Sequence, residues 1–94
     1  MNDGTQADPV GTRDMIGQRL HAVRTELFGS DGVDALARQL GIAPQVWRNI
    51  EQIGGLITAA QLLAFVELTG ANPVWLLRGD GPKYRAGCGP APPD

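Results

Sequence analysis

Sulfur, imidazole and aromatic chemistry are all scarce in this chain. Its 94 residues contain one cysteine, one histidine, one tyrosine, two phenylalanines and two tryptophans. A single thiol, Cys88, cannot form an intrachain disulfide, which excludes the disulfide-stapled secreted class and makes a reducing cytosol the expected compartment. Long apolar runs are missing too: none approaches the ~20 residues of a membrane span. Residues 1–11 have no basic segment followed by an apolar one, so no secretory signal is expected. An excess of positive charge is also lacking. Eight Lys and Arg face ten Asp and Glu, for a formal net charge of −2. The raw count therefore does not point to a nucleic-acid binder driven by charge.

What is present is apolar residues, 43% of the chain, in a helical pattern. Residues 1–11 and 86–94 are polar or Gly/Pro-rich and lack periodicity, so both are expected to be disordered tails. Residues 12–85 form the expected single domain. Met15, Ile16, Leu20, Val23 and Leu27 recur at helical spacing, which predicts a helix over 13–28 with Thr12 as its N-cap and Gly29 as its stop. Val33, Leu36, Ala37 and Leu40 predict a second, short helix ended by Gly41. Pro44 suits the first turn of a third, whose buried side is Val46, Trp47 and Ile50. Thr58 and Gln61 form a capping box opening a fourth helix. Asn72 and Pro73 open a fifth, which runs to Gly79. No β-branched alternation is present, so no sheet is expected. The predicted core is Ile16, Leu20, Val23, Leu27, Leu36, Ala37, Leu40, Trp47, Ile50, Leu62, Phe65, Val66, Trp75 and Leu76 or Leu77.

Catalytic signals are weak, and no enzyme, cofactor or metal site is expected. His21, mid-helix beside Leu20, reads as a surface or boundary histidine; a triad or a zinc site needs more. Cys88 lacks a CxxC partner and reads as an incidental exposed thiol. Asp31 and Asp34 flank the start of the second helix, where capping and the helix dipole explain a carboxylate pair better than catalysis does. Gly79-Asp80-Gly81-Pro82 does not follow a strand and is no phosphate loop.

The informative stretch is 33–52. Two short helices meet there at a turn of about three residues, the spacing of a helix-turn-helix. Ala37 is small where the helices approach, Gly41 permits the reversal, and Ile42 and Trp47 fill the angle between them. The outer side of the third helix, about 44–52, then carries Gln45, Arg48, Asn49 and Gln52. Amides suit adenine edges and Arg suits guanine in the major groove. A plain helical hairpin with a polar outer side would look the same over this stretch, and both readings stand on these residues.

Over 16–84 the chain resembles the phage-repressor-like (Cro/repressor, XRE) helix-turn-helix family. The turn pattern is matched by Leu36-Ala37-Arg38-Gln39-Leu40-Gly41, and the end of the recognition helix by Trp47-Arg48-Asn49-Ile50-Glu51. The later pattern is matched by Leu62-Leu63-Ala64-Phe65, Thr69-Gly70-Ala71-Asn72-Pro73, Trp75-Leu76-Leu77 and Gly79-Asp80-Gly81-Pro82. The resemblance covers about three quarters of the chain and implies an all-α, five-helix lambda-repressor-like DNA-binding domain. It implies a transcriptional regulator that binds double-stranded DNA, as a homodimer on a two-fold site. It implies that Ala43, Pro44 and Gln45 open the recognition helix against the groove, with Arg48 and Asn49 one turn on. It further implies phosphate contacts from Arg19, Arg24 and Arg38, which would fix orientation while base contacts specify sequence.

The chain departs from the family pattern at several positions. Val33 replaces a frequent Gln, Pro44 removes a long side chain and a donor, and Ala43 is a poor N-cap. Ile53-Gly54-Gly55-Leu56 replaces a more polar loop, and the loop at 28–32 is longer. These departures carry an alternative: a protein-interaction module, antitoxin-like or adaptor-like, that keeps the fold with weak or lost DNA binding and has a protein partner. Charge permits either reading. Asp3, Asp8 and Asp94 lie in the expected tails, so 12–85 keeps all eight basic residues and seven acidic ones, net +1.

Overall fold

The computed structural model describes residues 9–90. It is all-α: α1 is Pro9–Phe28, α2 Val33–Leu40, α3 Pro44–Gln52, α4 Ala59–Thr69 and α5 Pro73–Arg78, with a 3-10 turn at Gly54–Leu56. No strand forms among the described residues; an isolated antiparallel bridge pairs Ala71 with Tyr84. No described helix is long and apolar enough to cross a membrane. Of the expected tails, residues 1–8 and 91–94 lie outside the described residues.

Helix α1 begins at Pro9, a turn before the expected cap, so Thr12 lies inside it. The remaining helices start and stop where local chemistry directs. Pro44 and Pro73 occupy the first turns of α3 and α5, where a missing N–H leaves no orphan. The Thr58 hydroxyl accepts from the Gln61 N–H at 3.0 Å, and the Gln61 side chain accepts from the Thr58 N–H at 2.9 Å. Asn72 caps α5 by accepting from the Val74 N–H at 3.0 Å. Neither aspartate caps α2. Its N-cap is Gly32, with no side-chain bond, and Asp34 lies in the first turn instead.

The core gathers Leu20, Val23, Leu36, Ala37, Trp47, Ile50, Phe65, Val66, Ala71 and Leu76. Trp47 stacks on Phe65 with ring centroids 5.1 Å apart. Ile16, Leu27, Leu40, Leu62 and Trp75 pack at its margin, as does Val33. Leu77, one of two alternatives for the last core position, is exposed, and Val46, expected on the buried side of α3, is 40% exposed. Ala71 was not anticipated. It is short, has no helical neighbours in the pattern, and is buried because the chain after α5 folds back across it.

That return is held by backbone bonds. The Asn72 N–H donates to Lys83 O at 2.9 Å, and the Arg85 N–H to Gly70 O at 2.8 Å. The Arg85 guanidinium donates to Val66 O at 3.0 Å, a second bond to a carbonyl that already accepts from the Gly70 N–H at 2.8 Å. Residues 86–90, part of the expected C-terminal tail, are described as turns and bends; Cys88 is exposed and its N–H donates to Arg85 O at 2.9 Å.

Helix α1 packs on α2, α3, the 3-10 turn and α5, and α2 packs on α3 and α4. A close approach of α1 to α3 lies at Gly17. A Cβ there would come within 2.4 Å of Glu51 O, so α1 presses its backbone against the end of α3.

Candidate nucleic-acid interface

Helix α3 is nine residues long and its two sides differ in kind. Three residues joined to α2 set its angle. Gly41 adopts the left-handed conformation, φ +73°, that an L side chain avoids, and its neighbour's N–H returns to the end of α2, Ile42 N–H to Ala37 O at 3.0 Å. Ala43 then opens α3 with no side-chain cap.

The inner side is fixed by one carboxylate. Trp47, Ile50 and Glu51 lie three and four residues apart and so share it. Glu51 accepts from Arg24 Nε and Nη2, each at 2.9 Å, and from the Trp47 indole N–H. His21 Nδ1 lies 2.8 Å from the same carboxylate and 3.1 Å from Arg24 Nη2, so it can donate to the first or accept from the second. Arg24 also donates to Gly29 O at 2.7 Å and Ser30 O at 3.0 Å, which ties down the loop after α1. Gly17, His21 and Arg24 recur at intervals of four and three along α1, one stripe that meets α3 at Glu51.

Electrostatics follow this geometry. The Glu51 hydrogen bond holds the Arg24 guanidinium above its ordinary range, against the opposing effect of burial. Burial pushes the Glu51 carboxyl up, but hydrogen bonds from Arg24, His21 and Trp47 outweigh it and hold the group below the usual carboxylate range.

The outer side of α3 is open. Gln45, Arg48, Asn49 and Gln52 are all exposed, as is Arg38 on α2. Gln45 Nε2 donates to Asn49 Oδ1 at 3.0 Å, and Arg48 Nη2 lies 3.4 Å from Asp34 Oδ1 at the start of α2. Gln45, Arg48, Asn49 and Gln52 recur at helical spacing along this side of α3, and Arg38 is exposed on α2.

Two expected contacts do not join them. Arg24 is 3% exposed, and its donors are spent on Glu51, Gly29 and Ser30, so it cannot reach a phosphate. Arg19 is half-buried and donates to Leu76 O at 3.3 Å, serving the last turn of α5. It lines a surface depression of about 340 Å³ with Met15, Leu77 and Arg78. The reasons differ with helical phase: Arg24 belongs to the stripe of α1 that meets α3, whereas Arg19, five residues earlier, lies on another flank and reaches the end of α5. The pairing of Arg24 with Glu51 was missed because it spans 27 residues; the three-residue step from His21 to Arg24, beside an apolar stripe, was its signal.

Searches of family models, curated proteins and solved structures find no match to this chain. Among the described residues, no group of three or more His, Cys, Asp and Glu comes together as a metal site.

Proposed function

We propose that the chain is a lambda-repressor-like helix-turn-helix regulator that inserts α3 into the major groove of double-stranded DNA, without enzymatic activity. The observation that carries this reading is the asymmetry of α3. Its inner side is locked by Trp47, Ile50 and Glu51, while Gln45, Arg48, Asn49 and Gln52 stand exposed on the outer side. A recognition helix must be held at a fixed angle and must present hydrogen-bonding side chains to base edges. Gln45 keeps Oε1 and one N–H after its bond to Asn49, enough for a bidentate contact to adenine. Arg48 suits guanine or phosphate, and Arg38 a flanking phosphate. Arg19 and Arg24 have no part in this interface. A homodimer on a two-fold site would set half-sites about one helical turn apart.

The test is fluorescence anisotropy over a salt series on a labelled duplex, using wild type, Arg48→Ala and Asn49→Ala. Both variants should weaken binding, and Arg48→Ala should reduce the salt slope by about one. Unchanged affinity and slope in both would overturn the assigned side of α3.

A second reading is favoured by exposed apolar residues around and beyond α3. Val46, Ile53 and Leu56 are each at least 40% exposed. A protein-interaction module would use them against a partner protein. Absence of salt-dependent binding to any duplex at low ionic strength selects this reading.

A further inference from the structure

The outer side of α3 carries two internal contacts of opposite consequence. The bond from Gln45 to Asn49 leaves donors and acceptors on both amides, so it orients them without using them up. The contact from Arg48 to Asp34 differs. It joins the region's central cation to an anion at 3.4 Å, with both side chains in water, 49% and 68% exposed. Asp34 is the acidic residue of α2's first turn, where the helix dipole favours it. Its carboxylate therefore has a reason to be ordered there before any ligand arrives.

A polyanion approaching α3 meets two effects of Asp34. The carboxylate repels phosphates directly, and it holds Arg48 in a contact that a phosphate or guanine must displace. Resting on the DNA-binding reading above, we propose that Asp34 is an electrostatic brake. It competes with DNA for Arg48, suppresses nonspecific duplex binding, and leaves discrimination to the base contacts of Gln45 and Asn49. An exposed pair of this kind is weak and screened, so it can be exchanged. The buried Arg24–Glu51 pair cannot be. The low net charge of the chain then has a use: affinity for arbitrary sequence is kept down by a carboxylate placed within reach of the arginine that would supply it.

Four proteins test this: wild type, Asp34→Asn, Arg48→Ala and the double variant. Each is titrated against a short labelled duplex of mixed sequence across a salt series. Asp34→Asn should tighten binding by about three- to tenfold at low salt and steepen the slope by about one, the weight of one released phosphate contact. In the Arg48→Ala background the same substitution should gain less than about twofold, because the competition it relieves is gone. An equal gain in both backgrounds overturns the proposal, since Asp34 then acts as a distant charge alone. No gain in either background, with wild type bound, overturns it as well. If none of the four binds at any salt, the DNA-binding reading fails and the proposal with it. Thermal melting of each protein checks that folding is intact; an exposed pair should change it little.

Discussion

Arg24 and Glu26 stand two residues apart on α1 and so point to nearly opposite sides of it. Both make ion pairs with distant parts of the chain. Arg24 goes inward to Glu51, with side chains 3% and 10% exposed. Glu26 goes outward to Lys83 at 2.8 Å, side chains 31% and 40% exposed, and also accepts from the Tyr84 hydroxyl at 2.7 Å. The chemistry is alike and the surroundings are not. Inside, every donor must be partnered and no water can replace a lost one. Outside, water and salt can do so. The lesson extends to any ligand: burial, and not the mere presence of an arginine on a helix, decides whether its charge is available.

The largest effect is expected at the centre of the inner cluster. Trp47→Ala removes a fully buried ring, its stack on Phe65 and a donor to Glu51. It should destabilise the fold by roughly 3–5 kcal/mol, which for a chain of this size is a large share of the total. Urea unfolding followed by circular dichroism measures it. A loss below about 1 kcal/mol would mean the inner cluster is not what holds α3.

Arg24→Met comes next, at about 3–5 kcal/mol, because it leaves the Glu51 charge buried without its main partner. Its signature is in the pH dependence. In wild type the folded-state pKa of Glu51 lies below its unfolded value, so the stability it contributes is present above the ordinary glutamate range. That stability is lost as pH falls through the folded value. In the variant burial is less opposed, the folded pKa rises, and protonation relieves the buried charge. The gap between the two proteins should therefore narrow as pH falls through the variant's higher folded value toward the wild type's lower one, that is, through the ordinary glutamate range. A gap that stays constant with pH would assign the loss to packing of the Arg24 stem alone.

The helices and most of the core were legible from spacing, caps and breakers, because those signals lie within a few residues of one another. The Thr58–Gln61 box and the Asn72-Pro73 start are examples. Contacts spanning tens of residues were not legible. The family resemblance implies Arg24 as a phosphate contact, and nothing local corrects that, because its partner Glu51 lies on a different helix. The spacing ends the fifth helix at Gly79 and predicts no return beyond it, yet Tyr84 and Lys83 reach back to α1, and Lys83 lies 5.8 Å from the Trp75 ring centre. The outer side of α3 was legible as composition: Gln45, Arg48, Asn49 and Gln52 are exposed as expected. The pairing of Arg48 with Asp34 was not, since the aspartate reads locally as a helix-start residue.

Gly17 sharpens the inner half of the comparison, and nothing in the apolar pattern marks it. In an isolated helix Gly→Ala gains about 1 kcal/mol. Here the added methyl would strike Glu51 O, a backbone atom that cannot swing aside. The clash should win, for a net loss of about 1–3 kcal/mol. A stabilised Gly17→Ala protein would show that α1 and α3 can separate slightly without harm, and that the tight joint is not required for the Arg24–Glu51 pair.

The smallest effect belongs to the outer cluster. Glu26→Gln removes one charge from a half-exposed group, and exposed pairs are worth about 0.2–1 kcal/mol. That loss should shrink further in high salt, where the Arg24→Met loss should not. Stability alone is a coarse reporter at this size, but the cluster offers a finer one, because Tyr84 is the chain's sole tyrosine. Burial first, and then the Glu26 carboxylate, push its phenol above the ordinary tyrosine range. Glu26 in turn is held low by the hydrogen bond from Lys83 and then by that from Tyr84. Glu26→Gln should lower the midpoint of the phenolate absorbance titration while leaving it above about 10, since burial remains. An unmoved midpoint would break the outer contact between α1 and the returning chain. A stability loss as large and as salt-independent as that of Arg24→Met would break the comparison itself, because burial would then no longer separate the two pairs.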